Sequence, residues 1–286
     1  MTGNPLNGFC STHPNIYYQV WCPAQEPEAV VMIAHGMGGH GGQFENAAIA
    51  FLEKNFVTYA LDFRGHGRSD GVRGYIKRWS NYLDDLQSLS RLVRQEHPDL
   101  PVFLWGHSLG GLISLDYALQ FPADLAGLLL TAPAVGKTAI SALKLLIGQV
   151  MSWVWPTFSL DAGFDSRACC RDREIAARYV ADPIRHHRGT ARLSTEFKVA
   201  QERILSQVDA LQVPLLLMHG NADRITSPDS SVALFEQMSD GDRKLIRYPH
   251  AYHELHLDLN RDQVLGDMLD WMLAHAMPET SESQVL

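Results

Sequence analysis

The chain has 286 residues, 46% of them hydrophobic, and a formal net charge of −8. That length suits one large domain, or a core carrying an insertion, and the acidic balance argues against nucleic acid, which selects a basic face. Residues 1–8 lack the basic and apolar regions of a secretory signal, and no apolar run reaches the roughly 18–20 residues of a membrane span. Cys10, Cys22, Cys169 and Cys170 match neither metal-site spacing nor a disulfide framework, so reduced thiols and a cytoplasmic location are expected.

Short apolar, β-branched runs alternate with amphipathic stretches, the pattern of an α/β fold with a mainly parallel sheet. In chain order, an N-terminal hairpin ends in a strand over 16–21, followed by strands over 30–34 and 57–61. Strands over 102–105, 128–130, 214–218 and 245–248 complete the set, and helical periodicity fills 47–54, 82–95, 109–120, 232–238 and 264–276. Their apolar stripes are read as core packing. Between 136 and 206 the alternation breaks and no strand is expected, which predicts a mostly helical cap inserted into the core. The expected organisation is core 1–135, cap 136–206, core 207–277 and a flexible polar tail 278–286.

The strand ending at Trp105 runs into Gly106-His107-Ser108-Leu109-Gly110-Gly111 and then straight into a helical pattern. Strand, G-x-S-x-G and helix in that order is the context of a nucleophile elbow: a sharp turn exposes the serine hydroxyl, and the small flanking residues let strand and helix approach closely. A serine hydroxyl is a weak nucleophile at neutral pH and needs a base, which needs an orienting acid. Asp223 follows the strand 214–218, and His250, His253 and His256 follow the strand 245–248, so serine, acid and base occur in the required order on strand-end loops. Asp229 and Asp240 are rival acids but follow no strand as closely. The spacing leaves the three histidines open, and it lacks the H-E-x-x-H arrangement or a completing carboxylate or cysteine set, so no metal is expected. An oxyanion hole needs two aimed backbone N–H groups. Leu109, after the nucleophile, and Met37, in the glycine-rich loop His35-Gly36-Met37-Gly38-Gly39, are the expected donors.

These segments resemble the monoacylglycerol lipase and lysophospholipase group of α/β-hydrolases over most of the chain. The resemblance is carried by Ala34-His35-Gly36-Met37-Gly38, the loop from Asp62 to Gly71, the elbow, Tyr179-Val180-Ala181-Asp182-Pro183, Gly220-Asn221-Ala222-Asp223 and Ala251-Tyr252-His253-Glu254-Leu255-His256. It implies an α/β-hydrolase fold and a cofactor-free serine esterase acting on monoacyl lipids. It places the catalytic base on His253, a headgroup-side histidine on His256 and a pocket-lining tyrosine on Tyr179. The chain departs from the pattern at Gly39 and Gln43, where animal members carry an acidic residue and an arginine. The alternatives are a thioesterase or an esterase for short or aromatic substrates on the same scaffold, and a non-catalytic binding protein that uses the capped pocket.

Within the expected cap, the charge-free apolar stretch 145–156 is too short to span a bilayer and ends at Pro156. It reads as a lid over an acyl pocket that leans peripherally on a membrane, where tryptophan is at home, or as an ordinary buried cap helix. The arginine-rich stretch 167–192 carries interspersed acids and reads as a solvated face or, alternatively, as a surface attracted to anionic lipid.

Overall fold

The computed structural model describes residues 5–136, 142–161, 166–238 and 241–276, of which 142–145 and 166 are described by backbone alone. The expected flexible tail, 278–286, lies outside the described residues.

Among the described residues, ten strands and eight helices occur, and in the core they alternate as the sequence pattern predicts. The N-terminal hairpin is β1 (Leu6–Thr12) and β2 (Asn15–Trp21), followed by β3 (Ala29–Ala34), α1 (Glu45–Leu52), β4 (Phe56–Leu61) and α2 (Ser80–Glu96). Then come β5 (Val102–His107), α3 (Leu109–Gln120) and β6 (Gly127–Thr131). The last part holds β9 (Leu215–Gly220), α7 (Pro228–Gln237), β10 (Arg243–Tyr248) and α8 (Arg261–Ala276). Eight strands form one sheet in the order β1-β2-β4-β3-β5-β6-β9-β10. β1 and β2 pair antiparallel, β2 joins β4 antiparallel, and the six strands from β4 to β10 run parallel.

Every residue of β3, β4, β5, β6 and β9 is buried, as parallel strands covered on both faces require. Alternate side chains feed two cores. Val30, Met32, Leu104, Leu130 and Leu217 face a layer built from α2, α3 and α6 (Ala191–Leu205), whereas Val31, Ile33, Phe103, Leu129 and Leu216 face α1 and α8. The register is therefore strongly fixed, because a one-residue slip would exchange the two cores.

β6 and β9 are neighbours in the sheet, and the chain between them leaves the core. It forms α4 (Ala142–Val154), β7 (Ser159–Asp161), α5 (Arg173–Ala181), β8 (Arg188–Thr190) and α6. The expectation of no strand here needs correction: β7 and β8 pair antiparallel in register Ser159↔Thr190 to Asp161↔Arg188. Three-residue strands are too short to show a period-two pattern. α6 lies against the core through Leu193, Ala200 and Ile204, while α4 exposes Leu146, Val150, Trp153 and Val154. No described helix is long and apolar enough to cross a membrane.

Candidate active site

The parallel strands deliver their C-terminal ends to one rim, and the expected site residues collect there. Ser108 occupies the turn between β5 and α3 at φ 55°, ψ −117°, a left-handed conformation that costs a residue with a Cβ. Its neighbours hold it there: the Ser108 N–H donates to Thr131 O at 3.0 Å, and the Ser108 carbonyl accepts from Gly111 N at 3.0 Å. The flanking glycines are sterically required. A Cβ on Gly106 would stand 2.5 Å from Gly110 O, and one on Gly110 would stand 2.1 Å from Ala34 O.

Asp223 follows β9 and is buried. Its Oδ1 accepts from the N–H groups of Ile225 at 2.7 Å and Thr226 at 3.1 Å. Oδ2 meets His253 Nδ1 at 2.7 Å, the Thr226 hydroxyl at 2.8 Å and His219 Nε2 at 3.1 Å. Burial by itself would raise the Asp223 pKa, but the His253 charge and the hydrogen bonds from both imidazoles hold it far below the usual carboxylate range. Burial likewise works against a charged His253, and the Asp223 carboxylate more than offsets it, raising the imidazole pKa above its ordinary value. With Nδ1 committed to Asp223, Nε2 is the ring nitrogen able to take a proton. Ser108 and His253 line one cleft, and Asp223 sits behind His253.

Of the two expected oxyanion donors, Met37 lines the same cleft. Leu109 is the first residue of α3, so its N–H has no intrahelical acceptor. Gly36 brings the Met37 loop so close that a Cβ there would lie 3.1 Å from Ser108 Cβ. His35 sets the loop's path: its Nε2 accepts from Phe63 N at 3.0 Å, so Nδ1 carries the proton and donates to Gly36 O at 2.7 Å. Burial pushes the His35 pKa down to about 3, which keeps that tautomer neutral.

Tyr179, on α5, lines the cleft, and its hydroxyl donates to Glu254 Oε1. His256 is placed differently. It is fully buried, stacked on Phe44 with ring centres 4.4 Å apart and edge-on to Trp105 at 5.5 Å. Phe44 lines the cleft; His256 supports that wall from behind. The chain turns into a short 3-10 helix at Leu255–Leu257 and packs the His256 ring inward. Burial pushes its pKa down to about 3.

Three residues belong to the site without having been singled out in the sequence. His219, the penultimate residue of β9, is fully buried, and its Nδ1 bonds the Ser231 hydroxyl at 2.7 Å while Nε2 meets Asp223. Glu254 is buried beside His253, with Oε2 3.0 Å from His107 Nε2, a contact without hydrogen-bond alignment. Burial would raise the Glu254 pKa, but His107 first, then His256 and His253, hold it low and the carboxylate ionised. Cys169 also lines the cleft, and its carbonyl accepts from Glu254 N at 2.8 Å. A histidine after a strand and an acid after the base were visible signals. Their partners, however, come from remote segments. His107, His253 and Glu254 also bring potential ligand atoms within 4.8 Å of one another, but Asp223 holds His253 Nδ1 and Tyr179 donates to Glu254.

Comparison with known proteins decides the family. A model described as "Serine aminopeptidase, S33" matches residues 25–260. The chain belongs to this family of α/β-hydrolases. Among its relatives, the monoacylglycerol lipase of Mycolicibacterium smegmatis is 32% identical over 262 residues, 91% of this chain and 93% of the relative. The rat monoglyceride lipase is 30% identical, covering 90% of this chain and 86% of its own. The crystal structure of Paleococcus ferrophilus monoacylglycerol lipase superposes with TM-score 0.83 at 28% identity, over 91% of this chain and 99% of that one.

Proposed function

We propose that this family member is a serine esterase that hydrolyses monoacyl lipids to fatty acid and alcohol. The observation that carries the reading is the strained Ser108 sharing one cleft with His253, whose Nδ1 lies 2.7 Å from buried Asp223. The lipase relatives supply the substrate class. His253 Nε2 takes the hydroxyl proton as Ser108 Oγ attacks the ester carbonyl. Asp223 keeps the imidazole in the productive tautomer and stabilises the imidazolium. The Met37 and Leu109 N–H groups hold the developing oxyanion. His253 then hands its proton to the departing alkoxide, and water, activated by the same base, releases the fatty acid from the acyl-serine. His219 acts as a second donor to Asp223, keeping that carboxylate ionised and fixed. The exposed apolar face of α4 serves as a peripheral contact with the lipid surface from which substrate is drawn.

The test is a hydrolysis panel with purified protein and Ser108→Ala, comparing monoacylglycerols, lysophosphatidylcholines, acyl-CoA and short and aromatic esters. The expected result is a preference for a medium- or long-chain monoacyl lipid, with kcat reduced at least about 10³-fold in a folded Ser108→Ala protein. Ser108-dependent activity confined to short or aromatic esters would keep the triad and discard the lipid substrate. Near-normal activity of Ser108→Ala would discard the serine mechanism itself.

A further inference from the structure

His253 must protonate the leaving alkoxide, so the alcohol half of the substrate lies on the His253 side of Ser108. The polar side chains at that side form one connected cluster. Glu254 follows His253 in the chain, the Tyr179 hydroxyl donates to its Oε1, and His107 Nε2 lies 3.0 Å from its Oε2. The Arg185 guanidinium stands 3.5 Å from the centre of the Tyr179 ring and donates through Nη1 to Tyr179 O at 2.9 Å. Tyr179 is thus gripped from one side by a cation and from the other by an anion, and Arg185, Tyr179 and Glu254 all line the cleft. The cluster has spare capacity. Arg185 Nε and Gln43 Nε2 are buried and find no acceptor among the described residues, an arrangement that costs stability unless something else satisfies them. Gln43 lines the same cleft.

We infer that Arg185 and Glu254, held in place by Tyr179, read the leaving alcohol, and that they select a neutral hydroxyl-bearing alcohol over a phosphate-bearing one. The chemistry follows from donor and acceptor inventories. Arginine only donates and an ionised carboxylate only accepts, whereas a hydroxyl does both. A vicinal diol accepts from Arg185 Nε and Gln43 Nε2 while donating to Glu254. A phosphodiester oxygen only accepts: it satisfies the Arg185 and Gln43 donors but brings no proton to Glu254, and its charge faces that carboxylate in a cleft where burial weakens screening. The inference rests on the esterase reading above and adds to it the residues that set headgroup preference.

The experiment compares two esters of one acyl chain. Both 1-monolauroylglycerol and p-nitrophenyl laurate present the same acyl group to Ser108, but only the first has hydroxyls for the cluster to read. The readout is the ratio of their kcat/KM values, which cancels general damage to the triad. Glu254→Gln and Arg185→Met are each expected to lower the ratio about tenfold, and Tyr179→Phe to lower it less. Wild type should cleave monolauroylglycerol at least tenfold better than lauroyl-lysophosphatidylcholine, and Glu254→Gln should narrow that gap. A melting transition checks that each variant is folded; if Glu254→Gln is not, Arg185→Met and Tyr179→Phe carry the test. An unchanged ratio in the folded variants overturns the subsite and leaves the esterase reading standing, as does a wild-type preference for the lysophospholipid. Failure of wild type to cleave monolauroylglycerol in a Ser108-dependent way overturns both.

Discussion

The two halves of the segment between β6 and β9 are built on opposite principles. The second half, from Cys169 to Thr190, is strapped to the core rim by polar ties. Cys169 O accepts from Glu254 N at 2.8 Å, Arg171 Nε pairs with Asp258 at 2.9 Å, and His40 Nε2 meets Asp182 at 2.6 Å. His186 N donates to Gly38 O at 3.1 Å, and the Thr190 hydroxyl donates to Gly74 O at 2.7 Å. The first half carries α4, whose Trp153 is 86% exposed and whose Val150 and Val154 are also exposed. One insertion thus supplies both a wall fixed against the glycine-rich loop that carries Met37 and an apolar face left outside. Local stability follows such ties, so wall and face should respond differently to the same kind of change.

The sharpest break is Gly38→Ala. Gly38 has φ 69°, and a Cβ there would lie 1.8 Å from the His186 carbonyl oxygen. The left-handed backbone alone costs an alanine roughly 1–2 kcal/mol, and the clash forces the strap away from the loop that carries Met37. The expected outcome is a lowered melting temperature and a loss of kcat/KM of about 10²-fold, the scale of a misplaced oxyanion donor. Wild-type kinetics from this variant would show that wall and loop are not coupled.

Asp182→Asn loosens the same strap at one point. The pair with His40 is partly exposed, so the expected destabilisation is about 1 kcal/mol. Burial raises the Asp182 pKa, but the hydrogen bond from His40 outweighs it, and the carboxyl titrates below its ordinary value. A depressed carboxylate contributes stability that is present above its unfolded pKa and is lost as pH falls through the folded one. The strap should therefore weaken below about pH 4. Denaturant melts of wild type and Asp182→Asn from pH 7 to pH 3 should converge as the pH falls, and a constant gap would refute this account of the strap.

Gly148→Ala in α4 makes the same substitution as Gly38→Ala and should have the opposite sign. A Cβ on Gly148 meets nothing within 4 Å, and alanine in a helix interior is favoured over glycine by roughly 0.5–1 kcal/mol. The expected result is a small rise in melting temperature with unchanged hydrolysis of a soluble ester.

How far this contrast was legible in the sequence depends on range. The placement of Ser108, Asp223 and His253 after strands was readable because β5 and β9, buried on both faces, announce themselves as apolar runs, and β10 carries the shorter apolar signal Leu245-Ile246. The apolar stretch that became α4 was readable as a charge-free run ending at Pro156. The straps were not, because each joins residues far apart in the chain: His40 to Asp182, Gly38 to His186, Cys169 to Glu254. Glu254 adjoins the base in sequence, but its partners Tyr179 and His107 come from other segments. The stacking of His256 on Phe44 was likewise not legible, because it joins segments far apart in the chain. At Gly39 and Gln43 the chain lacks the charges that animal members of the resembling group carry, and Arg185 and Glu254 bring a cation and an anion to the cleft from other segments.

The smallest effect on the folded molecule is expected from Trp153→Asp, and for that reason it isolates what the exposed face is for. A side chain this exposed contributes little to folding, so stability should change by no more than about 0.5 kcal/mol. Hydrolysis of a dilute soluble ester should be unaltered, because none of the described side chains of α4 lines the cleft. If the face leans on lipid, removing an indole that prefers the membrane interface and adding a charge should cut association with phosphatidylcholine vesicles about tenfold or more. Turnover of vesicle-borne monoacylglycerol should fall with it. Cosedimentation separates the outcomes: equal vesicle binding by wild type and variant would make α4 an exposed cap helix with no lipid contact, and the difference between the two halves would then be one of rigidity alone.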